Sequence, residues 1–109
     1  MASGTTAKKN NSSRSAQDQR LRALKSASSH PLRFQILTYF KENKSGSPNE
    51  ISKTLGEPLG NVSYHVGALR DDELIVLQET VPRRGALEHY YEMTALGKEA
   101  LGVVTKWMK

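Results

Sequence analysis

A chain of 109 residues with no cysteine and a net charge of +5 supports one small domain and excludes disulfides and thiolate metal sites. No apolar run approaches the ~20 residues that span a bilayer, and the opening MASGTTAKKNNSSRSA lacks the apolar stretch of a signal peptide, so the expectation is a cytoplasmic protein with no membrane partner. The positive balance suits a polyanion, but it is uneven: residues 1–44 hold nine Lys and Arg against two acids, and residues 45–109 hold seven against nine.

Residues 1–15 are Ser, Thr, Asn, Gly and Lys without apolar periodicity. They cannot bury enough surface to offset their ordering entropy, which predicts a disordered tail ahead of a single domain over residues 16–109. A first helix is expected from about Ala16 to Ala27, with Leu21 and Leu24 as a narrow apolar stripe among Arg20, Arg22 and Lys25. A second helix opens at Pro31, where a missing N–H is harmless, and Ser29 or His30 can cap it. Its apolar residues Leu32, Ile36, Leu37 and Phe40 recur at helical spacing, and Gly46 ends the segment.

The third helix carries the clearest start signal. Ser47 and Glu50 form a capping box around Pro48, Ile51 and Leu55 face inward, and Gly56 supplies a left-handed stop. A fourth helix follows Glu57-Pro58. Leu59, Val62, Val66 and Leu69 are spaced by 3, 4 and 3 as one buried stripe, leaving Asn61, Ser63, Tyr64, His65 and Arg70 outside it. Leu74 to Val81 reads as a strand, Pro82 to Ala86 as a basic turn, and Leu87 to Met93 as the return strand. Thr94 can cap a last helix that places Leu96, Ala100, Leu101, Val104, Trp107 and Met108 on one apolar face. The expected fold class is α+β and mainly helical, a winged helix-turn-helix with a two-stranded β-wing and flanking N- and C-terminal helices. An architecture of this kind reads duplex DNA.

With these elements in this order, the chain resembles the ArsR-like winged helix-turn-helix transcriptional regulators. His30-Pro31-Leu32-Arg33 with Ile36-Leu37 is similar to the family's second helix, and Asn49-Glu50-Ile51 with Leu55-Gly56 to its first motif helix. Asn61-Val62-Ser63-Tyr64-His65-Val66 with Ala68-Leu69 resembles its recognition helix. Leu74-Ile75, Arg84-Gly85, Tyr91, Met93-Thr94 and Gly97 resemble the wing and the start of the last helix. The resemblance covers roughly residues 29–98. It implies a homodimer formed through the first and last helices, recognition helices in the major groove, wings on flanking backbone or minor groove, and repression relieved by a signal. Three features depart from the pattern: Gly67 within the recognition helix, the acids Asp71, Asp72 and Glu73 at its end, and the lack of the cysteines that metal-sensing relatives use.

Specific residues carry these expectations. Asn61, Ser63 and His65 can bond base edges, and Tyr64 can bond phosphate through its hydroxyl; the alternative is a merely solvated helix face. Arg83 and Arg84, at a Gly-containing hairpin tip, are expected on phosphate or in a minor groove. Arg33 and Arg70 are further phosphate candidates, although Arg70 can instead pair with the acids that follow it. Leu21, Leu24, Leu101, Val104, Trp107 and Met108 are the candidate dimer face, unless the last helix is simple core. The three histidines match no ligand spacing, so no metal and no cofactor is expected. Ser63 and His65 are two apart on one helix and point about 200° apart, so they cannot act as nucleophile and base, and no enzyme is expected. The expected function is a sequence-specific DNA-binding regulator with double-stranded DNA and a second copy as partners, and with room for an unknown small-molecule or protein effector. The rival is a winged-helix protein-interaction module, which the acidic balance of residues 45–109 favours.

Overall fold

The computed structural model describes residues 16–107. Helix α1 spans residues 16–28. It is followed by α2 (Pro31–Glu42), α3 (Pro48–Leu55), α4 (Leu59–Asp71), the strands β1 (Ile75–Arg83) and β2 (Ala86–Met93), and α5 (Ala95–Trp107). This is the expected mainly helical winged helix-turn-helix. The expected tail over residues 1–15 and the candidate interface residue Met108 lie outside the described residues.

Local sequence accounts for the boundaries. At the start of α2 it is His30 that caps, its Nδ1 accepting from the Leu32 amide at 3.0 Å. Ser47 caps α3 in a complete capping box: its hydroxyl accepts from the Glu50 amide at 3.1 Å, and the Glu50 carboxylate accepts from the Ser47 amide at 3.2 Å. The turn between α3 and α4 is closed by the Ser52 hydroxyl, which donates to the Glu57 carbonyl at 2.5 Å. Thr94 holds the start of α5. Its hydroxyl accepts from the Gly97 amide at 3.0 Å and donates to the Glu73 carbonyl at 2.7 Å.

The wing is an antiparallel pair running from Ile75 opposite Met93 to Arg83 opposite Ala86. The expected five-residue turn shrinks to Arg84-Gly85, and Pro82 and Arg83 belong to β1. Arg84 and Gly85 both take positive φ, 50° and 82°, as a two-residue hairpin of this hand requires. A bulge between Leu77 and Glu79 bends the base of the wing. Gly46, expected only to end a segment, also pairs with Tyr91 as an isolated bridge, with N–O distances of 3.0 and 2.9 Å. The wing base is thereby tied to the connection between α2 and α3.

The core gathers Ala23 and Ala27 from α1, Leu32, Ile36, Leu37 and Phe40 from α2, and Ile51 from α3. Val62, Val66 and Leu69 from α4 join them, together with Leu74, Ile75, Tyr91, Ala100, Leu101 and Val104. Two expectations change here. Leu59 is 47% exposed rather than part of the buried stripe, because it is the first residue of α4 and the helix reaches the core only a turn later. Leu101 and Val104 are buried within the protomer, so they are core and not dimer face. Helix α5 sits close because of Gly97: a Cβ at that position would overlap the Leu74 carbonyl and the Met93 side chain.

Candidate nucleic-acid interface

Helix α4 is supported from behind by α2 and α3, and its buried side is Val62, His65, Val66 and Leu69. The opposite side is exposed: Asn61, Ser63 and Tyr64 face solvent, Tyr64 at 69%. Gly60, Ser63 and Gly67 recur there at three- and four-residue spacing, so this side presents little bulk beside Asn61 and Tyr64. The start of α4 is open as well. Pro58 is its N-cap, no side chain caps it, and no acid occupies the first turn. Uncapped amides and the positive end of the helix dipole favour an anion. This feature was not drawn from the sequence, where its signal is the lack of Ser, Thr, Asn or Asp before Leu59.

His65 departs from expectation. Expected outside the buried stripe, it is only 9% exposed. The reason is positional: residue 65 lies three after Val62 and four before Leu69, on the same face as both. Its Nδ1 accepts from Arg33 Nε at 3.0 Å. Arg33 Nη1 also donates to the Ser26 hydroxyl at 3.0 Å and to the Ser26 carbonyl at 3.4 Å. Arg33, expected on phosphate, is therefore half-buried and joins α1, α2 and α4. Burial, then the charges of His30 and Arg33, hold His65 below its ordinary value.

The other arginines differ in how free they are. Arg70 pairs with Asp71 at 3.1 Å on the surface, which offsets its charge locally. Arg83 forms an ion pair with Glu88 at 3.2 Å and donates to the Tyr90 hydroxyl at 3.1 Å. Glu88 in turn accepts from the Ser47 hydroxyl at 2.5 Å. A chain Arg83–Glu88–Ser47 thus fixes the wing to the cap of α3. Arg84, at the exposed tip, has no side-chain partner among the described residues. At the far end of α4, Glu73 takes a left-handed conformation, φ 68°, and accepts from Gln19 of α1 at 2.7 Å. The third of the terminal acids thus occupies a backbone position better suited to Gly.

Of the candidate dimer residues, Leu21 and Trp107 are exposed, at 65% and 63%, and Leu24 is half-buried. A shallow groove between α1 and α5, lined by Ala23, Leu24, Leu96, Ala100 and Val103, lies beside the Arg20–Glu99 pair. A wider cleft between the end of α2, the wing base and α5 has four lysines on its rim, Lys41, Lys44, Lys98 and Lys106. Phe40 and Leu101, which line it, are already buried in the core. Among the described residues, no cluster of His, Asp or Glu is arranged to hold a metal ion, and no helix is long and apolar enough to cross a membrane.

Comparison with known proteins agrees with this geometry. Residues 29–78 match the family model described as a helix-turn-helix domain. HlyU from Vibrio cholerae N16961 superposes with a TM-score of 0.64 at 22% identity, over 84% of this chain and 94% of that one. The transcriptional repressor PagR of Bacillus anthracis gives 0.63 at 20% identity, over 84% and 95%. A mutant MarR from E. coli complexed with operator DNA gives 0.58 at 16% identity, over 84% and 66%. No curated protein matches the chain.

Proposed function

We propose, on the match of residues 29–78 to the model described as a helix-turn-helix domain, that the protein is a sequence-specific DNA-binding transcriptional regulator. It acts as a homodimer on an imperfect palindrome, as a repressor. The observation that carries this reading is α4 itself: a supported helix whose exposed side carries Asn61, Ser63 and Tyr64 and whose first turn has no side-chain cap and no acid. Such a helix fits a major groove, with Asn61 and Ser63 on base edges and Tyr64 and the α4 amides on phosphate. Arg84, with Arg83 behind it, supplies the wing contact. His65 and Arg33 act behind the interface rather than in it. Two recognition helices would enter successive grooves about 34–36 Å apart. Structural relatives described as a transcriptional repressor and as bound to operator DNA support the assignment.

Dimerisation is assigned to the α1–α5 groove with exposed Leu21 and Trp107, which leaves Leu101 and Val104 to the protomer core. The test is Arg83→Ala with Arg84→Ala. Binding should weaken on all sequences alike, and the slope of log affinity against log salt should become shallower by roughly 2–4 for the two wings of the dimer. An unchanged slope removes the wing from the interface.

One observation favours a second reading, a protein-interaction module. Leu59 and Tyr64 expose apolar surface on the same helix, and residues 45–109, which include it, hold more acids than Lys and Arg. A partner held there would resist salt, whereas DNA binding weakens steeply as salt rises.

A further inference from the structure

Apolar packing does not hold the recognition helix alone. At its buried face three elements meet through polar atoms. Arg33 of α2 donates from Nε to His65 of α4 at 3.0 Å and from Nη1 to the Ser26 hydroxyl of α1 at 3.0 Å. His30, the cap of α2, lies against the His65 ring, with centroids 4.5 Å apart and planes tilted by 36°. Tyr64, on the exposed side, meets the same ring edge-on at 5.1 Å.

The chemistry of this contact is one-sided. An arginine has donors and no acceptor, and it stays charged at every accessible pH. The Arg33–His65 bond therefore exists only while His65 Nδ1 is bare, with the ring neutral and its proton on Nε2. Among the described residues, no carboxylate pairs with His65 or Arg33 to hold a second cation. The charged or titratable groups facing His65 are His30 and Arg33 of α2, with Tyr64 beside it on α4, while α1 offers the uncharged oxygens of Ser26. Taking up a proton at Nδ1 turns the acceptor into a donor aimed at a donor. It also sets an imidazolium against a guanidinium in a half-buried site, where little water screens them.

We infer that Arg33 and His65 are positioning residues that seat the recognition helix, and that a proton taken up at His65 unseats it and weakens DNA binding. This inference rests on the DNA-binding reading given above. Because burial, then His30 and Arg33, hold His65 below its ordinary value of about 6.5, the seat is closed above that pH and opens only as the pH falls below it. A loss of affinity on acidification that is absent in His65→Gln is the signature of the seat.

The experiment has two arms on the full chain. The first follows the histidine ring nitrogens by two-bond ¹⁵N–¹H correlation from pH 8 to 5, without DNA. His65 should show the Nε2–H tautomer at pH 7.5 and titrate below the same residue in the urea-unfolded chain. The other tautomer, or titration at the unfolded value, overturns the seat. The second arm measures affinity for a selected duplex at pH 7.5 and 5.5 and fixed ionic strength, in wild type and His65→Gln. Wild type should lose roughly twofold or more on acidification, with a ceiling of tenfold per unit by which seating lowers the group. The glutamine offers an oxygen acceptor at both pH values, so its ratio should be flat or reversed. Equal ratios for the two proteins, or tighter wild-type binding at pH 5.5, overturn the seat. Absence of DNA binding at both pH values overturns the functional reading instead, and the first arm still decides whether His65 is seated by Arg33.

Discussion

Ser47 is the point where the helix-turn-helix and the wing are fastened to each other, and its replacement by Ala probes both. The side chain is fully buried and its hydroxyl has two partners, the Glu50 amide at 3.1 Å and the Glu88 carboxylate at 2.5 Å. Loss of a Ser N-cap costs about 1 kcal/mol. Loss of a hydrogen bond to a charged group costs about 1.5–3 kcal/mol. Glu88 keeps Arg83 as a partner, so the lower end of that second range applies, and the two together give about 2–3 kcal/mol. For a domain of this size each kcal/mol lowers Tm by about 4–8 °C, so Ser47→Ala should melt roughly 10 °C or more below wild type. Ser47→Thr, which keeps the hydroxyl, should lie much closer. Differential scanning calorimetry of the three proteins at pH 7.5 measures this directly. A fall of under about 3 °C for the alanine variant, on the same scale, would mean that the Ser47 contacts contribute almost nothing and that the wing is held by backbone pairing alone.

Two helical glycines, Gly67 of α4 and Gly97 of α5, should respond oppositely to alanine. At Gly67 a Cβ meets only Arg70 Nη2, at 3.7 Å, so Gly67→Ala should stabilise by up to about 1 kcal/mol. At Gly97 it meets backbone, so Gly97→Ala should destabilise by about 1–3 kcal/mol or more; urea melts of both decide, and matching signs would contradict the packing described. Stability should also fall with acidification. His65 is held below its ordinary value by burial, His30 and Arg33, so the unfolded chain binds the extra proton first. The contribution is full above about pH 6.5 and is lost as the pH falls below it. A wild-type Tm that drops between pH 7.5 and 5.5 more than that of His65→Gln supports this, and parallel drops refute it. Finally, Leu21→Glu with Trp107→Glu should shift sedimentation from dimer to monomer and weaken operator binding, while Leu101→Ala should act by destabilising the protomer by about 2–5 kcal/mol. Intact dimers in the double variant would move the interface elsewhere.

Much of the fold is legible in the chain because its signals are local. The Ser47/Glu50 capping box, Pro31 at a helix start, the apolar spacing of α2, the Val62, Val66 and Leu69 stripe of α4 and a hairpin turn within residues 82–86 each follow from neighbours within a few residues. What escapes the sequence depends on distant partners. Gly46 pairs with Tyr91 across forty-five positions, and Ser47 meets Glu88 across forty-one, which no periodicity encodes. His65 is a different case, because its position already lies on the stripe of Val62 and Leu69. Its polar identity suggested solvent, but a partner in Arg33 made burial affordable. The last helix misled for a related reason: one apolar stripe cannot say which residues turn inward, and the structure divides it into buried Leu101 and Val104 and exposed Trp107.

The central claim is that α4 reads DNA sequence, and the most direct measurement is selection of genomic fragments by the purified protein, followed by titration of the recovered duplex and a scrambled one at low and near-physiological salt. The expected result is an imperfect palindrome with half-sites one helical turn apart, preferred over the scrambled duplex at both salts. Replacing Asn61 by Ala should cost about 1–3 kcal/mol on the selected site and little on the scrambled one. Recovery of no common sequence, or equal affinity for both duplexes with no effect of Asn61→Ala, would contradict the account.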